Sequence, residues 1–202
     1  MRAYKRYGKR GFTLVELMIV IAIIGVLAAL AIYGVRRYLA SAKTSEAKNT
    51  IGAVARGAKQ AFERETAASE LVAEGSNSTN ASHALCGSAT PVPAAVPGGT
   101  KYQPKTTNGD DFNTGDATNG WKCLKFSMTQ AIYYKYYYVL GSGGPGKAAG
   151  APDPTATGFE ASAEGDLNEN GAFSTFAITG AVNATTKELI TATQVFIKDE
   201  FE

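Results

Sequence analysis

The sequence contains few of the residues from which enzyme active sites are usually built. It has one histidine, His83, in a stretch rich in serine and asparagine. The motifs G-x-S-x-G and H-E-x-x-H and the paired-cysteine metal box do not occur. A lone histidine without an evident partner is typical of a surface loop and not of a catalytic base. We therefore assign no active site and predict that the protein is not an enzyme.

Two long stretches lack residues that would interrupt a helix or hold it in water. No charged residue occurs from Leu17 to Val35, and these nineteen residues can cross a hydrocarbon layer of about 30 Å as a helix. No proline occurs in residues 12–65, so nothing in that range forces the helix to stop. We predict one helix over residues 12–65, about 80 Å long, whose first part, residues 12–35, spans a membrane.

The apolar pattern continues beyond the uncharged stretch on one face only. Apolar residues recur at spacings of three, four or eight, which is typical of an amphipathic helix. They are Leu39, Ala47, Ile51, Val54, Ala58 and Phe62. Residues 36–65 are therefore predicted to form an amphipathic spine on which a head, residues 66–202, packs.

Positive charge is concentrated at the start of the chain. Five cations and no acid precede Phe12. The apolar stretch is followed by the pair Arg36-Arg37. Because the flank of a membrane helix that has more cations stays in the cytoplasm, the five cations before Phe12 predict a cytoplasmic N-terminus and an exported head. Without residues 1–11 the chain keeps fifteen basic and eighteen acidic residues, a net charge of −3. Bulk charge therefore does not indicate nucleic-acid binding.

The only two cysteines, Cys86 and Cys123, fall in the part predicted to be exported. A disulfide persists in an oxidising compartment, so we predict a bond between them. It would stabilise the head by about 4 kcal/mol in the chain-entropy model. Two reduced, buried thiols are the alternative.

A carboxylate, Glu16, lies at the start of the apolar stretch. At the centre of a bilayer an acid costs about 2.5 to 3.5 kcal/mol, and less at the edge, so Glu16 needs a partner. A cut between Gly11 and Phe12 would free an amine four residues from Glu16.

The residues around this acid resemble the N-terminus of a type IV prepilin, of the type IVa kind with a class III signal peptide. The resemblance covers residues 8–32: a basic leader ending at Gly11, then Phe-Thr-Leu-Val-Glu and a long apolar helix. It implies that an aspartyl prepilin peptidase cuts between Gly11 and Phe12 and N-methylates Phe12. It also implies that Glu16 pairs with the Phe12 amine of a subunit already in the filament, which sets the axial register.

The resemblance further implies a pilin-like fold and a set of partners. The subunit would wait in the inner membrane and then form a helical homopolymer, the extracellular pilus, with an assembly platform and a cytoplasmic motor ATPase. Motility, adhesion or DNA uptake would follow, and no cofactor is required. One departure is Tyr33-Gly34, where many pilins carry proline.

Two other functions stay open. One is a pseudopilin of type II secretion or a minor pilin. The other is a secreted calcium-binding module, because Ala29-Leu30-Ala31 resembles the cleavage site of an ordinary signal peptide. The continuous helical pattern beyond Val35 argues against that cleavage.

The head is predicted to be α+β, with an antiparallel sheet of about four strands laid on the helix. Residues 67–120, rich in Ser, Thr, Asn, Gly and Pro, are predicted to be a long loop region. The predicted strands are residues 121–128, 131–140, 159–163, 173–179 and 194–197. The tyrosine-rich residues 133–138 are interpreted as a core or interface strand and not as a ligand platform.

Residues 166–171 reproduce the first half of a calcium loop, D-x-N-x-N-G. Asp166, Asn168 and Asn170 would be the calcium ligands, helped by Glu164 or Glu169. Ala177 stands where such a loop needs its bidentate glutamate. Because Asp and Asn also favour turns by bonding their own backbone, a plain turn is the alternative.

Overall fold

The computed structural model describes residues 11–64, 66–67, 74, 81–141 and 153–202. The basic residues of the leader lie outside this range, as do parts of the loop region predicted at 67–120. The chain divides into two compact units, one up to Ser41 and one from Ala42 to Glu202. From here on, the head is this second unit, which includes the second part of the long helix as well as residues 66–202.

One long helix dominates the chain. Helix α1 spans Leu14–Glu63, within two residues of both predicted ends. In the first unit, every residue from 11 to 39 is exposed. In the head, the apolar face of α1 is buried: Ala47, Ile51, Val54 and Ala58 are at most 1% exposed. The predicted change from an uncharged to an amphipathic stretch is therefore confirmed.

The described part of the head contains two short helical segments and eight strands. The helical segments are a 3₁₀ turn at Asp111–Asn113 and α2 at Gly120–Leu124. The strands are β1 (Thr66–Ala67), β2 (Ala81–Ser82), β3 (Ala89–Val92), β4 (Lys135–Leu140), β5 (Gly158–Gly165), β6 (Ser174–Val182), β7 (Leu189–Thr191) and β8 (Phe196–Lys198).

The main sheet has six strands, all antiparallel, in the order β3-β4-β5-β6-β7, and β8 pairs with β6 beside β7. The α+β class and the antiparallel sheet are confirmed. The sheet is larger than the predicted four strands, because β3 and β7 are short and β3 contains Pro91, which hides a strand signal.

Most of the tyrosine-rich segment forms strand β4, whose side chains alternate between the two faces of the sheet. Tyr136 and Tyr138 are fully buried toward helix α1, and the Tyr136 hydroxyl lies 3.3 Å from Glu46 of that helix. On the opposite face, the Tyr137 hydroxyl donates to the Glu164 carboxylate of β5. Successive side chains of a strand point to opposite faces of the sheet, so one set of rings packs in the core and the other lies on the outer face.

The strand predicted at residues 121–128 is wrong, because the chain forms helix α2 there. Its buried positions, Trp121, Cys123 and Leu124, follow helical spacing, with Lys122 exposed between them. The indole N–H of Trp121 donates to the Thr90 carbonyl at 2.8 Å. The local residues favour a strand, but contacts with distant residues of the head determine the structure of this segment.

Candidate functional site

The candidate site is the start of helix α1, where two residues cap the helix. The backbone N–H and the hydroxyl of Thr13 donate to Glu16 Oε2 at 2.8 and 2.7 Å, and the Glu16 N–H donates to Thr13 Oγ1 at 3.3 Å. This reciprocal pattern is a capping box, with Thr13 as the N-cap and Glu16 as the third helical residue. The first helical bond, from Leu17 N–H to Thr13 O, agrees.

The capping box gives Glu16 a partner that the sequence analysis missed. The signal was present, because Thr13 and Glu16 have the T-x-x-E spacing. Both bonds from Thr13 end on Oε2, and no bond to Oε1 is found among the described residues. Since the box uses neither Gly11 nor Phe12, a cut between those two residues would leave it intact. Phe12 itself is 88% exposed.

The helix that follows carries a continuous apolar surface without cover. Helix α1 is long and apolar enough to cross a membrane, the only such helix in the described part of the chain. Its exposed side chains include Leu17, Ile21, Ile24, Leu27 and Leu30, each more than half exposed. Single exposed apolar residues are normal on protein surfaces, but a contiguous band of this extent marks an interface with lipid or protein.

The predicted disulfide is present. Cys86 and Cys123 are bonded, with their Cα atoms 5.8 Å apart. The bond ties the loop before β3 to helix α2, and the Arg64 guanidinium donates to the Cys123 carbonyl. At Gly57 the backbone of α1 comes so near α2 that an added Cβ would lie 2.7 Å from the Leu124 carbonyl oxygen. The cystine and the end of α1 are therefore one packed unit within the head.

The predicted calcium ligands form a turn between β5 and β6. Asp166 accepts from the N–H groups of Asn170 and Gly171 at 3.2 and 3.0 Å. The amides of Asn168 and Asn170 donate to Glu202 Oε2 at 2.5 and 2.7 Å. No group of three or more His, Cys, Asp or Glu residues suited to a metal is found in the described ranges. Calcium binding stays a prediction, which a melting curve with calcium and with a chelator tests.

His83 is exposed, as predicted for a loop residue, and caps the end of helix α1. Its Nδ1 lies 3.0 Å from the Phe62 carbonyl, which can only accept, so Nδ1 carries the proton. Its ring lies beside the Phe62 ring, with centroids 5.6 Å apart. A carbonyl of the last helical turn is thereby satisfied by a distant residue.

Glu46 is a half-buried acid that sequence reasoning did not single out. Its Oε1 accepts from the Tyr133 N–H and the Tyr136 hydroxyl, both at 3.3 Å. Burial raises the pKa of Glu46 above 4.5, although these bonds and the Lys101 and Lys43 ammonium groups act to lower it. The acid links helix α1 to the sheet.

Comparisons with known proteins match the N-terminal part of the chain. A family model described as the prokaryotic N-terminal methylation motif matches residues 6–32. The type IV major pilin protein PilA of Myxococcus xanthus is 46% identical over 65 residues, which cover 32% of this chain and 30% of that protein. The fimbrial protein EcpC of Eikenella corrodens is 57% identical over 44 residues, covering 22% of this chain and 29% of that protein.

A third relative shows the same restriction to one segment. The type IV major pilin protein PilE1 of Neisseria gonorrhoeae is 59% identical over 39 residues, covering 19% of this chain and 24% of that protein. The chain thus spans less than a third of the length of these relatives. No solved structure was found to match it.

Proposed function

We propose that the chain is a structural subunit of a type IV pilus, because its N-terminal segment is similar to that of type IV pilins. A prepilin peptidase would cut between Gly11 and Phe12 and methylate the new amine. The subunit would then leave the inner membrane and polymerise through the apolar half of helix α1.

The observation that carries this proposal is the uncovered apolar surface of α1 beside a single acid. Burying one Leu or Ile side chain contributes about 1.5 to 3 kcal/mol, so many exposed apolar residues favour strong association. Lipid tails are as apolar as these side chains, however, so moving the helix from bilayer to filament changes little apolar burial. The polar groups at the start of the helix must therefore specify which neighbouring subunit is bound and in which axial register.

Glu16 is suited to this task. Thr13 donates two hydrogen bonds to one carboxylate oxygen, Oε2, and no bond to Oε1 is found among the described residues. The Phe12 amine of a neighbouring subunit would bind there. A charge buried alone in an apolar filament core is costly, whereas a paired one is tolerated, so the pair would select register more than it adds stability.

The remaining partners follow from the same proposal. The head would be exported and the leader cytoplasmic, an assembly platform would receive the subunit, and a cytoplasmic motor ATPase would drive assembly. Motility, adhesion or DNA uptake would depend on the finished filament. A pseudopilin or minor pilin would share the processing and differ in abundance within the filament.

Mass spectrometry of the mature protein tests the processing step. We expect a chain that begins with N-methylated Phe12. A chain beginning at Ile32 would indicate ordinary signal cleavage after Ala31 and would contradict the proposal. Imaging of surface filaments after gene deletion then separates a pilus subunit, whose loss removes the filaments, from a pseudopilin or minor component.

A further inference from the structure

The head has an apolar pocket at the end where helix α1 stops. Its volume is about 550 Å³. Its lining includes Phe62, His83, Leu85, Leu140, Val182 and Lys187. No acid is among the described residues that line it. We call this surface the Phe62 end of the head.

The acids near the pocket lie in an adjoining groove. That groove is lined by Glu63 and Glu188, together with Lys59 and Lys187. Glu63 already faces the Lys59 ammonium at 3.8 Å. The pocket itself therefore offers apolar walls and one cation, the exposed Lys187. It suits an apolar group that is followed or preceded by an acid.

The opposite end of the head presents such groups. Phe173 and Phe201 are 42% and 45% exposed, and Asp199 is exposed two residues before Phe201. An ion pair of 2.5 Å between Lys48 and Glu200 holds this turn against helix α1. We call this surface the Lys48 end.

The two surfaces lie at opposite ends of the head. Helix α1 rises about 21 Å between Lys48 and Phe62 at 1.5 Å per residue. Strand pairing agrees, because Leu140 and Val182 end their strands near the pocket, whereas Lys135 and Thr175 lie at the other end of the same sheet. A contact between the two surfaces therefore joins different copies. Such a contact is heterologous, and its repetition yields an open polymer.

We propose that the Lys48 end of one head docks on the Phe62 end of the head of a second copy, with Phe201 in the pocket and Asp199 facing Lys187. The inference rests on the proposed pilus function, since the filament brings the copies together. Opposite charges across such a contact favour one register and exclude others. Head-to-head docking would thus add a second register signal to the one at Glu16.

Cysteine cross-linking in intact pili tests the contact. The variant Leu140→Cys with Phe201→Cys places one thiol at each end of every subunit. Oxidation should give a ladder of dimers, trimers and longer chains that thiol reduction collapses. The matched control, Thr107→Cys with Phe201→Cys, uses an exposed loop position and should stay monomeric. Pili that contain the first variant but yield only monomers would overturn the inference.

Charge exchange decides the question if the cysteine variant does not assemble. Lys187→Glu should lower the number of pili about tenfold or more, because like charges then face each other. Adding Asp199→Lys should restore most of that loss. A double variant no better than Lys187→Glu overturns the docking. A wild-type chain absent from every filament contradicts the proposed function itself, which is a distinguishable result.

Discussion

The two parts of helix α1 differ in what covers their apolar side chains. From residue 11 to residue 39 every residue is exposed in the described part of the chain. From Thr44 to Phe62 the apolar face is buried by the sheet of the same chain, with Ile51 and Ala58 fully inaccessible. One continuous helix therefore contains a segment buried within the head and a segment that the described residues leave exposed.

This difference predicts which property each substitution changes. Changes in the first part should affect assembly and leave the head folded. Changes in the head should affect folding first and assembly only through it.

The largest effect is expected from Glu16→Ala. The variant should be processed and should keep a folded head, because Glu16 makes no described contact with residues beyond its own first turn. Incorporation into filaments should fall to near zero, since the Phe12 amine would lose its partner. Immunoblots of sheared pili and of cell membranes measure both pools.

Glu63→Ala provides a matched control for Glu16→Ala. Glu63 is also an acid on helix α1, and its only described ion pair is an exposed one with Lys59. An exposed pair at this spacing contributes about 0.3 to 0.5 kcal/mol, so pili should form normally. Normal pili from both variants would refute the register role.

The next effect concerns the head. Replacing both cysteines, Cys86→Ser with Cys123→Ser, should lower the free energy of unfolding by about 4 kcal/mol. The measurement is denaturation of the full chain in detergent, followed by fluorescence of Trp121, the only tryptophan, which is buried beside the cystine. Lys122→Ser, an exposed neighbour, is the control. Leader cleavage should be unchanged, and a variant that lost cleavage would break the separation between the two parts.

The same contrast explains what the sequence could predict. The helix bounds and the alternation of Tyr136 with Tyr137 depend on local periodicity, which the sequence states directly. Helix α2 was mistaken for a strand because Trp121 and Cys123 are fixed by distant groups, the Thr90 carbonyl and Cys86.

Other features of the head were beyond local pattern reading. The bonds from Asn168 and Asn170 to Glu202 join residues more than thirty positions apart. The sequence around residue 166 does not predict these bonds, because they depend on how β8 pairs with β6. At the start of α1 no such long-range information is needed, because the capping box joins Thr13 and Glu16 within one helical turn.

A smaller effect is expected from Thr13→Val, which keeps the shape of the side chain and removes its hydroxyl. One bond to Glu16 Oε2 and the bond from the Glu16 N–H are lost, while the bond from the Thr13 N–H remains. Pili should decrease severalfold, less than for Glu16→Ala. Thr13→Ser should restore them, because serine supplies the same hydroxyl. If valine assembles as well as threonine, the capping box does not position Glu16.

The smallest effect is a pH dependence inside the head. Burial raises the pKa of Glu46 above its usual 4.5 in the folded chain, so the folded state holds this proton more tightly than the unfolded state. The contribution of Glu46 to stability is therefore complete below 4.5 and is lost as pH rises through the raised pKa. Glu46→Gln removes this titration. The melting temperature of the variant minus that of the wild type should therefore increase as pH rises from 4 to 7. If the melting temperatures of Glu46→Gln and of the wild type instead change in parallel over this range, Glu46 is not the group that titrates.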